Sequence, residues 1–383
     1  MEEIEKIRKE PYKYIPQWME STLIHVGKPV FEILSLLPAS LILPDIPFGN
    51  KNIRPQMNAL LLAPPSAGKS TISEKFAKIS TFPITFRRIT ASELISQILV
   101  NPYFFTIINE DFSQVAEDYD VIKVLEGVTG DERRIEDKTS RRSISKETKG
   151  VCLLCGTPSD LSRYLKNLEG GMFFRLIPIM INHTSEQHSE IGKHINSKIG
   201  NYEYIEDIHK KEEAVIEFYK ELAVIQSGKH ESIPAIARYK IPDEIKNSAF
   251  SLWDQTTRKM VDEMEFYWIR ELHEFYRFLV SHALLNVHNR KITKFKMKNG
   301  ENKEVECGEI QIEQEDYKIA INLMKRNIKF KYYLIKATRL NSKIRDAETL
   351  RKIIETDGID QLAKDILLNI SPHSSALSMN KNF

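Results

Sequence analysis

Between residues 57 and 181 short apolar runs alternate with amphipathic stretches, the pattern of a sheet whose strands are covered by helices. Strands are predicted over 60–62, 84–86, 104–108, 151–154 and 176–181. The first closes the apolar run 57–62 and leads through a short loop into a helix-like stretch, 70–79. Upstream, to about Asn50, proline-broken helices are predicted, with a loop over 44–54 carrying Gly49, Asn50 and Asn52. The apolar stretch 23–43 is interrupted by Lys28, Pro29, Glu32 and Pro38, which predicts a buried helical hairpin and not a membrane span. Beyond His183 the pattern changes. Residues 183–201 are polar, and 205–330 carry Phe, Tyr, Trp and Leu at three- and four-residue spacing, the period of packed helices. The longest such stretch is 266–288; 291–309 read as a polar turn excursion or loop; a helix is predicted from Glu315 to about Lys325. Residues 371–383 lack apolar periodicity, and disorder is predicted there.

Composition leaves this picture standing. A chain of 383 residues is long enough for two or three cores, and 42% hydrophobic with 28% charged residues describes a soluble globular protein. Three cysteines make no disulfide framework, so a reducing, cytoplasmic compartment is expected. Cys152 and Cys155 form C-x-x-C inside a predicted strand, where alternation puts them on opposite faces; core packing is the reading, not zinc or redox chemistry. The charged stretch 1–10 shows no secretory signal. His183, His188 and His194 lack tight ligand spacing and are expected to be solvated.

Net charge is only +2, but its distribution is uneven. From Tyr317 to Arg345 no acid occurs, whereas Lys318, Lys325, Arg326, Lys329, Lys331, Lys336, Arg339, Lys343 and Arg345 do, with Phe330, Tyr332 and Tyr333 among them. Such a patch attracts polyanions by counterion release, and its aromatics could stack bases. A basic helix face packed by its own aromatics is the alternative.

The candidate chemistry begins after the first strand, at Ala63, Pro64, Pro65, Ser66, Ala67, Gly68, Lys69, Ser70 and Thr71. Strand, tight loop and helix in that order are the context of a phosphate-binding P-loop, with the helix N-terminus offering N–H groups to an anion. Ala63 stands where G-x-x-x-x-G-K-[ST] has its first glycine, so the turn is expected to start without positive φ. Lys69 is placed to reach the β/γ-phosphates of ATP, and the Ser70 hydroxyl to ligate Mg²⁺. An acidic partner follows the strand 104–108, at Asn109, Glu110 and Asp111. Two registers are open. The favoured one puts Glu110 on Mg²⁺ and Asp111 on the attacking water; the other puts Asn109 at the metal and Glu110 behind it. Capping of a following helix is the structural alternative. Thr157, after the strand 151–154, could hold the attacking water or sense the γ-phosphate. Arg175, just ahead of the last strand, can reach a neighbouring subunit's γ-phosphate. Between the acidic strand and Thr157, 130–146 read as a hairpin that offers Arg133, Arg134, Arg141 and Arg142 to DNA phosphates.

Taken together, Ala63-Pro-Pro-Ser-Ala-Gly-Lys-Ser, Glu110-Asp-Phe-Ser, Cys155-Gly-Thr-Pro and Gly171-Met-Phe-Phe-Arg resemble the motifs of the AAA+ superfamily. The flavour is that of the MCM-like branch and of the primase/helicase-like ATPases of plasmids and viruses, over about 57–181. The resemblance implies that Thr157 and Pro158 form sensor 1, that Arg175 is an arginine finger, that the hairpin points into a ring channel, and more loosely that Arg270 is sensor 2. Ala63 and the Glu-Asp order depart from the pattern, and the absence of an MCM-type zinc-bearing N-terminal domain argues against a cellular MCM helicase. The expected architecture is an α/β, AAA+-like parallel-sheet P-loop core (53–183). It follows a helical N-terminal segment (1–52) and precedes a helical lid or C-terminal domain with the basic patch (184–345) and a helical end and tail (346–383). The expected activity is hydrolysis of ATP with Mg²⁺, driving a helicase or strand-annealing action on single-stranded or forked DNA in replication or recombination of a virus or plasmid. A homo-oligomeric ring, DNA contacts through Lys325 and Arg326, and no membrane partner complete the expectation. A small-molecule P-loop kinase and a nucleotide-binding scaffold without turnover are the alternatives.

Overall fold

Three helices open the chain in this computed structural model, which describes residues 2–21, 23–130, 134–139, 142–157, 175–181, 183, 185–261, 269–298 and 303–341. Helix α1 (Glu2–Lys9) sets glutamates in its first turn and Lys6, Arg8 and Lys9 in its last, each against the favourable end of the helix dipole. Helix α2 (Pro11–Glu20) has proline at its first position, where no N–H is missed. Helix α3 (Lys28–Ile42) corrects the expected helical hairpin over 23–43: Pro29 starts it, and Pro38 is carried inside one continuous helix. It is buried on nearly every side, so packing outweighs the hydrogen bond that Pro38 cannot donate. The predicted loop 44–54 contains a short antiparallel ribbon, β1 (Ile46–Phe48) and β2 (Lys51–Ile53).

The apolar runs form a five-stranded parallel sheet of β3 (Asn58–Leu62), β4 (Pro83–Phe86), β5 (Phe105–Asn109), β8 (Gly150–Gly156) and β9 (Ile177–Met180). Its order is β4-β5-β8-β3-β9. Strands β3, β5 and β8 are buried along their whole length, as continuous apolar strands covered on both faces must be. Helix α4 (Lys69–Ile79) packs on one face through Ile72, Phe76 and Ile79, beside Leu61, Leu153 and Cys155. Helices α5 (Ala91–Val100) and α6 (Tyr119–Thr129) cover the other, beside Leu60, Leu62, Cys152 and Leu154. The two cysteines therefore do lie on opposite faces, buried and unbonded. Thr90 caps α5 through the N–H of Glu93, and Asp118 caps α6. Between α6 and β8 stands the expected hairpin, β6 (Arg134–Thr139) against β7 (Arg142–Glu147), with Thr139 opposite Arg142.

After the sheet come α7 (Ser185–Lys198), which the polar pattern of 183–201 did not reveal, and the long α8 (Tyr202–Gln226). The stretch 205–330 is mostly helical, as expected, with three strands set among the helices. Helices α9 (Asp243–Val261) and α10 (Ile269–Leu285) are present, but β10 (Ala235–Lys240) precedes them. The stretch 291–309, read as a β-turn excursion or a loop, contains β11 (Ile292–Lys298) and most of β12 (Glu304–Gln311). These three form a sheet in which β12 pairs parallel with β10 and antiparallel with β11. The last described helix, α11 (Gln314–Asn341), runs well past the predicted end near Lys325. One apolar cluster joins Ile15 and Trp18 of α2, Leu34 of α3, Phe76 of α4, Phe218 of α8, Phe278 of α10 and Met324 of α11. The predicted disorder of 371–383 concerns residues outside those described.

Candidate active site at the carboxyl edge of the sheet

Strand β3 ends at Leu62, and Ala63 extends the pairing by donating its N–H to Gly156 at 3.1 Å. The chain then turns through Ser66 at φ 65° and Gly68 at φ 84°, while Ala63 is not among the positive-φ residues, in keeping with its Cβ. Gly68 is required twice over: a Cβ there would stand 2.7 Å from Leu23 Cδ2, in a backbone conformation that L side chains rarely adopt. Helix α4 opens at Lys69 without a side-chain cap. Lys69 Nζ donates back to the carbonyls of Ala63 at 2.5 Å and Pro64 at 3.2 Å, closing the loop on itself. Pro65, Ser66 and Ser70 are exposed, Pro64, Gly68, Lys69 and Thr71 half-buried, and Ala67 is buried.

The acids leave β5 at the same edge. In register, Leu62 faces Gly156 and Asn109 faces Leu154, so the loop 63–68, Thr157 and the acidic residues all follow the carboxyl ends of adjacent strands. Crevices at such ends are where open α/β sheets take ligands. Strand β8 stands between β3 and β5, which sets the P-loop and the acids about 10 Å apart by strand spacing. Burial, above all, pushes the Cys155 thiol up to about 11, and the charges of Lys69, Glu110 and Asp111 all act on that same thiol.

Each acid has a partner in this state. Asn109 is buried; its Nδ2 donates to Phe86 at 3.2 Å and Arg87 at 3.3 Å, and its Oδ1 is buried without a hydrogen bond. Glu110 is paired with Arg87, Nε to Oε2, at 2.9 Å. Asp111 accepts from Ser113 N at 3.2 Å and Ser113 Oγ at 2.5 Å, capping the 3₁₀ turn Phe112–Gln114. The capping role weighed from the sequence is thus what Asp111 performs here. The sequence reading missed Arg87; the only signal was the Arg87-Arg88 doublet at the exit of the strand 84–86.

Thr157 is half-buried at the end of β8. Arg175 lies at the opposite edge of the sheet, two residues before β9, whose register puts Ile177 opposite Ala59. It is half-buried, its Nε lacks a hydrogen bond, and its Nη1 lies 3.6 Å from where a Cβ on Gly130 would be. Arg270 is half-buried in the first turn of α10. Pro158, Arg133 and Arg141 lie outside the described residues, as do the side chains of Arg134 and Arg142 on β6 and β7. Lys325 and Arg326 are exposed on α11. One member of the basic stretch must be withdrawn: Lys331 is fully buried, paired with Glu271 at 2.7 Å. The side chains of Lys329, Tyr332, Tyr333, Lys336 and Arg339, and all of Lys343 and Arg345, lie outside the described part.

His183 meets His188 edge to face at 5.4 Å and is half-buried, not solvated, whereas His188 is exposed. Among the described residues no group of three or more metal-ligating side chains converges, and no helix is long and apolar enough to cross a membrane. In comparisons with known proteins, the chain matches no protein-family model and no curated protein.

Proposed function

We propose that the chain is an ATP-hydrolysing, AAA+-type P-loop ATPase that acts on DNA in the replication or recombination of a virus or plasmid. The observation that carries the reading is the strand order. The strand of Thr157 stands between the P-loop strand and the acidic strand, with all three carboxyl ends on one edge. Such an edge lets a triphosphate lie on the loop with its terminal phosphate facing both a polar residue and a carboxylate. The oxygen donors fit Mg²⁺: the exposed Ser70 hydroxyl and the Glu110 carboxylate are the hard ligands it takes. When bound, that ion neutralises charge on the β- and γ-phosphates. Lys69, exchanging its loop carbonyls for phosphate oxygens, does the same from the other side. Asp111, released from Ser113, orients the attacking water, and Thr157 holds the γ-phosphate. The β6–β7 hairpin and the exposed Lys325 and Arg326 are the surfaces offered to DNA phosphates.

Lys69→Ala is expected to abolish phosphate release while leaving the circular-dichroism spectrum and the melting temperature nearly unchanged, since the side chain is half-buried and its hydrogen bonds to Ala63 and Pro64 lie within one loop. Asp111→Asn, which still caps the 3₁₀ turn, is expected to bind ATP and turn it over at least a hundredfold more slowly, on the order of the general-base contribution. Wild-type turnover in the Lys69 variant overturns the assignment. The measurement is made with and without single-stranded and duplex DNA, because stimulation by either identifies the polymer acted on.

A second reading has one observation in its favour. A cavity of 680 Å³ lies beside the acids at the same edge, lined by Arg88, Thr90, Glu93, Ser113, Glu117 and Asp118 among others. That is room for a small-molecule phosphoryl acceptor. Recovery of the released phosphoryl group on an added metabolite, in place of free phosphate, would favour a P-loop kinase.

A further inference from the structure

The small sheet β10-β12-β11 has two unlike faces. Ile236 and Ile310 are buried in the main apolar cluster, and Tyr239 and Ile292 pack against it, so the core closes one face. Further out on that face Lys294 pairs with Glu306 at 2.8 Å and Lys296 with Glu304 at 3.4 Å, so its charges cancel across the strands. The other face is open. Strict alternation from Ile236 would send residue 238 into the core, but a bulge between them turns Arg238 outward, with Lys240 two residues on. Thr293, Phe295 and Met297 of β11 share that face, and Val305 and Glu309 of β12 lie between the two strands. Arg238, Lys240, Thr293, Met297 and Val305 are exposed. Phe295 belongs to neither apolar core; the Arg238 guanidinium lies over its ring, Cζ 4.4 Å from the centroid. Arg238 stands directly opposite Glu309 in the register, yet neither of them, nor Lys240, forms an ion pair with a described residue.

We propose that this open face is a platform for single-stranded DNA, distinct from the β6–β7 hairpin and from the exposed cations of α11; the inference rests on the reading that the chain acts on DNA. Arg238 and Lys240 follow each other on one strand at about 7 Å, the rise of two residues. That spacing matches successive phosphates of an extended nucleic-acid strand. Arg238, moving from the ring to a phosphate, frees the face of Phe295 for an unpaired base, and Met297 and Val305 continue the apolar floor beside it. A duplex keeps its base faces stacked on one another and offers the ring nothing. A second copy of the chain would cover Met297 and Val305 but has no use for two unpaired cations, so the charges favour the strand.

The test follows fluorescence anisotropy of a labelled thymidine oligonucleotide, and of a duplex of equal length, titrated with the full chain carrying Lys69→Ala. No ATP is added, so failure of the ATPase reading leaves the result intact. Phe295→Leu keeps an apolar side chain and removes the ring; it is expected to weaken single-strand binding about tenfold, the loss of one stacked base, and to leave duplex binding unchanged. Arg238→Gln is expected to weaken single-strand binding and to lower its salt slope by about 0.7, the release of one counterion. Glu309→Gln removes a like charge from beside the phosphates and is expected to tighten binding. Lys294→Gln takes the same charge from the closed face and is expected to change affinity less than about twofold, as an exposed paired charge does. Single-strand binding that both Phe295→Leu and Arg238→Gln leave unchanged overturns the proposal and leaves the DNA reading standing, whereas absence of binding to either DNA overturns both. Equal losses in Arg238→Gln and Lys294→Gln would reduce the effect to net charge and overturn it as well. So would self-association without DNA that Met297→Lys abolishes in light scattering, which assigns the face to a second copy.

Discussion

In the resting site each reactive side chain is held by a neighbour. Lys69 is folded onto the carbonyls of its own loop, Glu110 onto Arg87 and Asp111 onto Ser113. On the proposed reading a nucleotide exchanges these contacts, which ties binding to rearrangement. Lys75, nearly two turns further along α4, is held more firmly. It is buried, its Nζ donates to the carbonyls of Trp18 at 2.8 Å and Met19 at 3.4 Å, and it lies over the Trp18 ring at 4.7 Å. These carbonyls belong to the last turn of α2, so Lys75 caps that helix from beneath the P-loop. Burial is the main cause that lowers its pKa from 10.5 to about 8. The sign follows: between pH 8 and 10.5 the unfolded chain still holds a proton that the folded chain has released. Folding is thus favoured as pH rises through that window. Relative to Lys75→Met, the wild type is expected to gain up to about 3 kcal/mol of stability over that range. Urea unfolding of both proteins at several pH values checks this, and a parallel pH response of the two would disprove the assignment.

At the scale of elements, legibility depended on whether both faces of a segment are buried. Strands β3, β5 and β8 are covered on both sides and read as continuous apolar runs, and the loop 63–68 between strand and helix was legible for the same reason. Strand β11 has Thr293, Lys294, Lys296, Met297 and Lys298 exposed, so its sequence looks like a polar loop. Its place comes from pairing with β12 across the turn and not from its own composition. The basic stretch misled in a different way. Lys331 was counted with the surface cations, but its partner Glu271 lies 60 residues away on α10, beyond any local pattern. Asn327 also donates to Glu271, at 2.6 Å, so α11 is bolted to α10 through one buried carboxylate. Desolvation pushes the Glu271 carboxyl above its ordinary range, although the Lys331 charge opposes this. Lys331→Met strands that carboxylate and is expected to cost about 3–5 kcal/mol. Adding Glu271→Gln should recover part of the loss, because the stranded charge is then gone. Denaturant unfolding of the single and double variants measures both steps; additive losses would show that the two residues do not act as a pair.

At the scale of the whole molecule, the sheet separates two groups that hydrolysis would need to bring together. The P-loop, Thr157 and the acids follow the carboxyl ends of β3, β8 and β5, while Arg175 precedes the amino end of β9. The register puts Ile177 level with Ala59 and Met180 level with Leu62, so the start of β9, just after Arg175, stands about 13 Å below the loop that begins at Ala63, at strand rise. An arginine side chain does not span that distance. On the proposed reading it serves the nucleotide of an adjoining copy, and the active form is an oligomer with shared sites. Arg175→Ala protein is expected to bind ATP normally and hydrolyse it at least a hundredfold more slowly, toward the low end of what an arginine finger contributes. Mixed with excess Lys69→Ala protein, it should regain activity. In the mixed interface the Arg175 variant brings the intact P-loop and the Lys69 variant brings the intact arginine. Neither variant alone can form that pair, so recovery on mixing cannot come from either protein acting within its own chain. Light scattering during the same titration should register assembly when ATP is present. Full turnover by a particle that stays monomeric at saturating ATP and DNA would leave Arg175 a structural residue packed against Gly130.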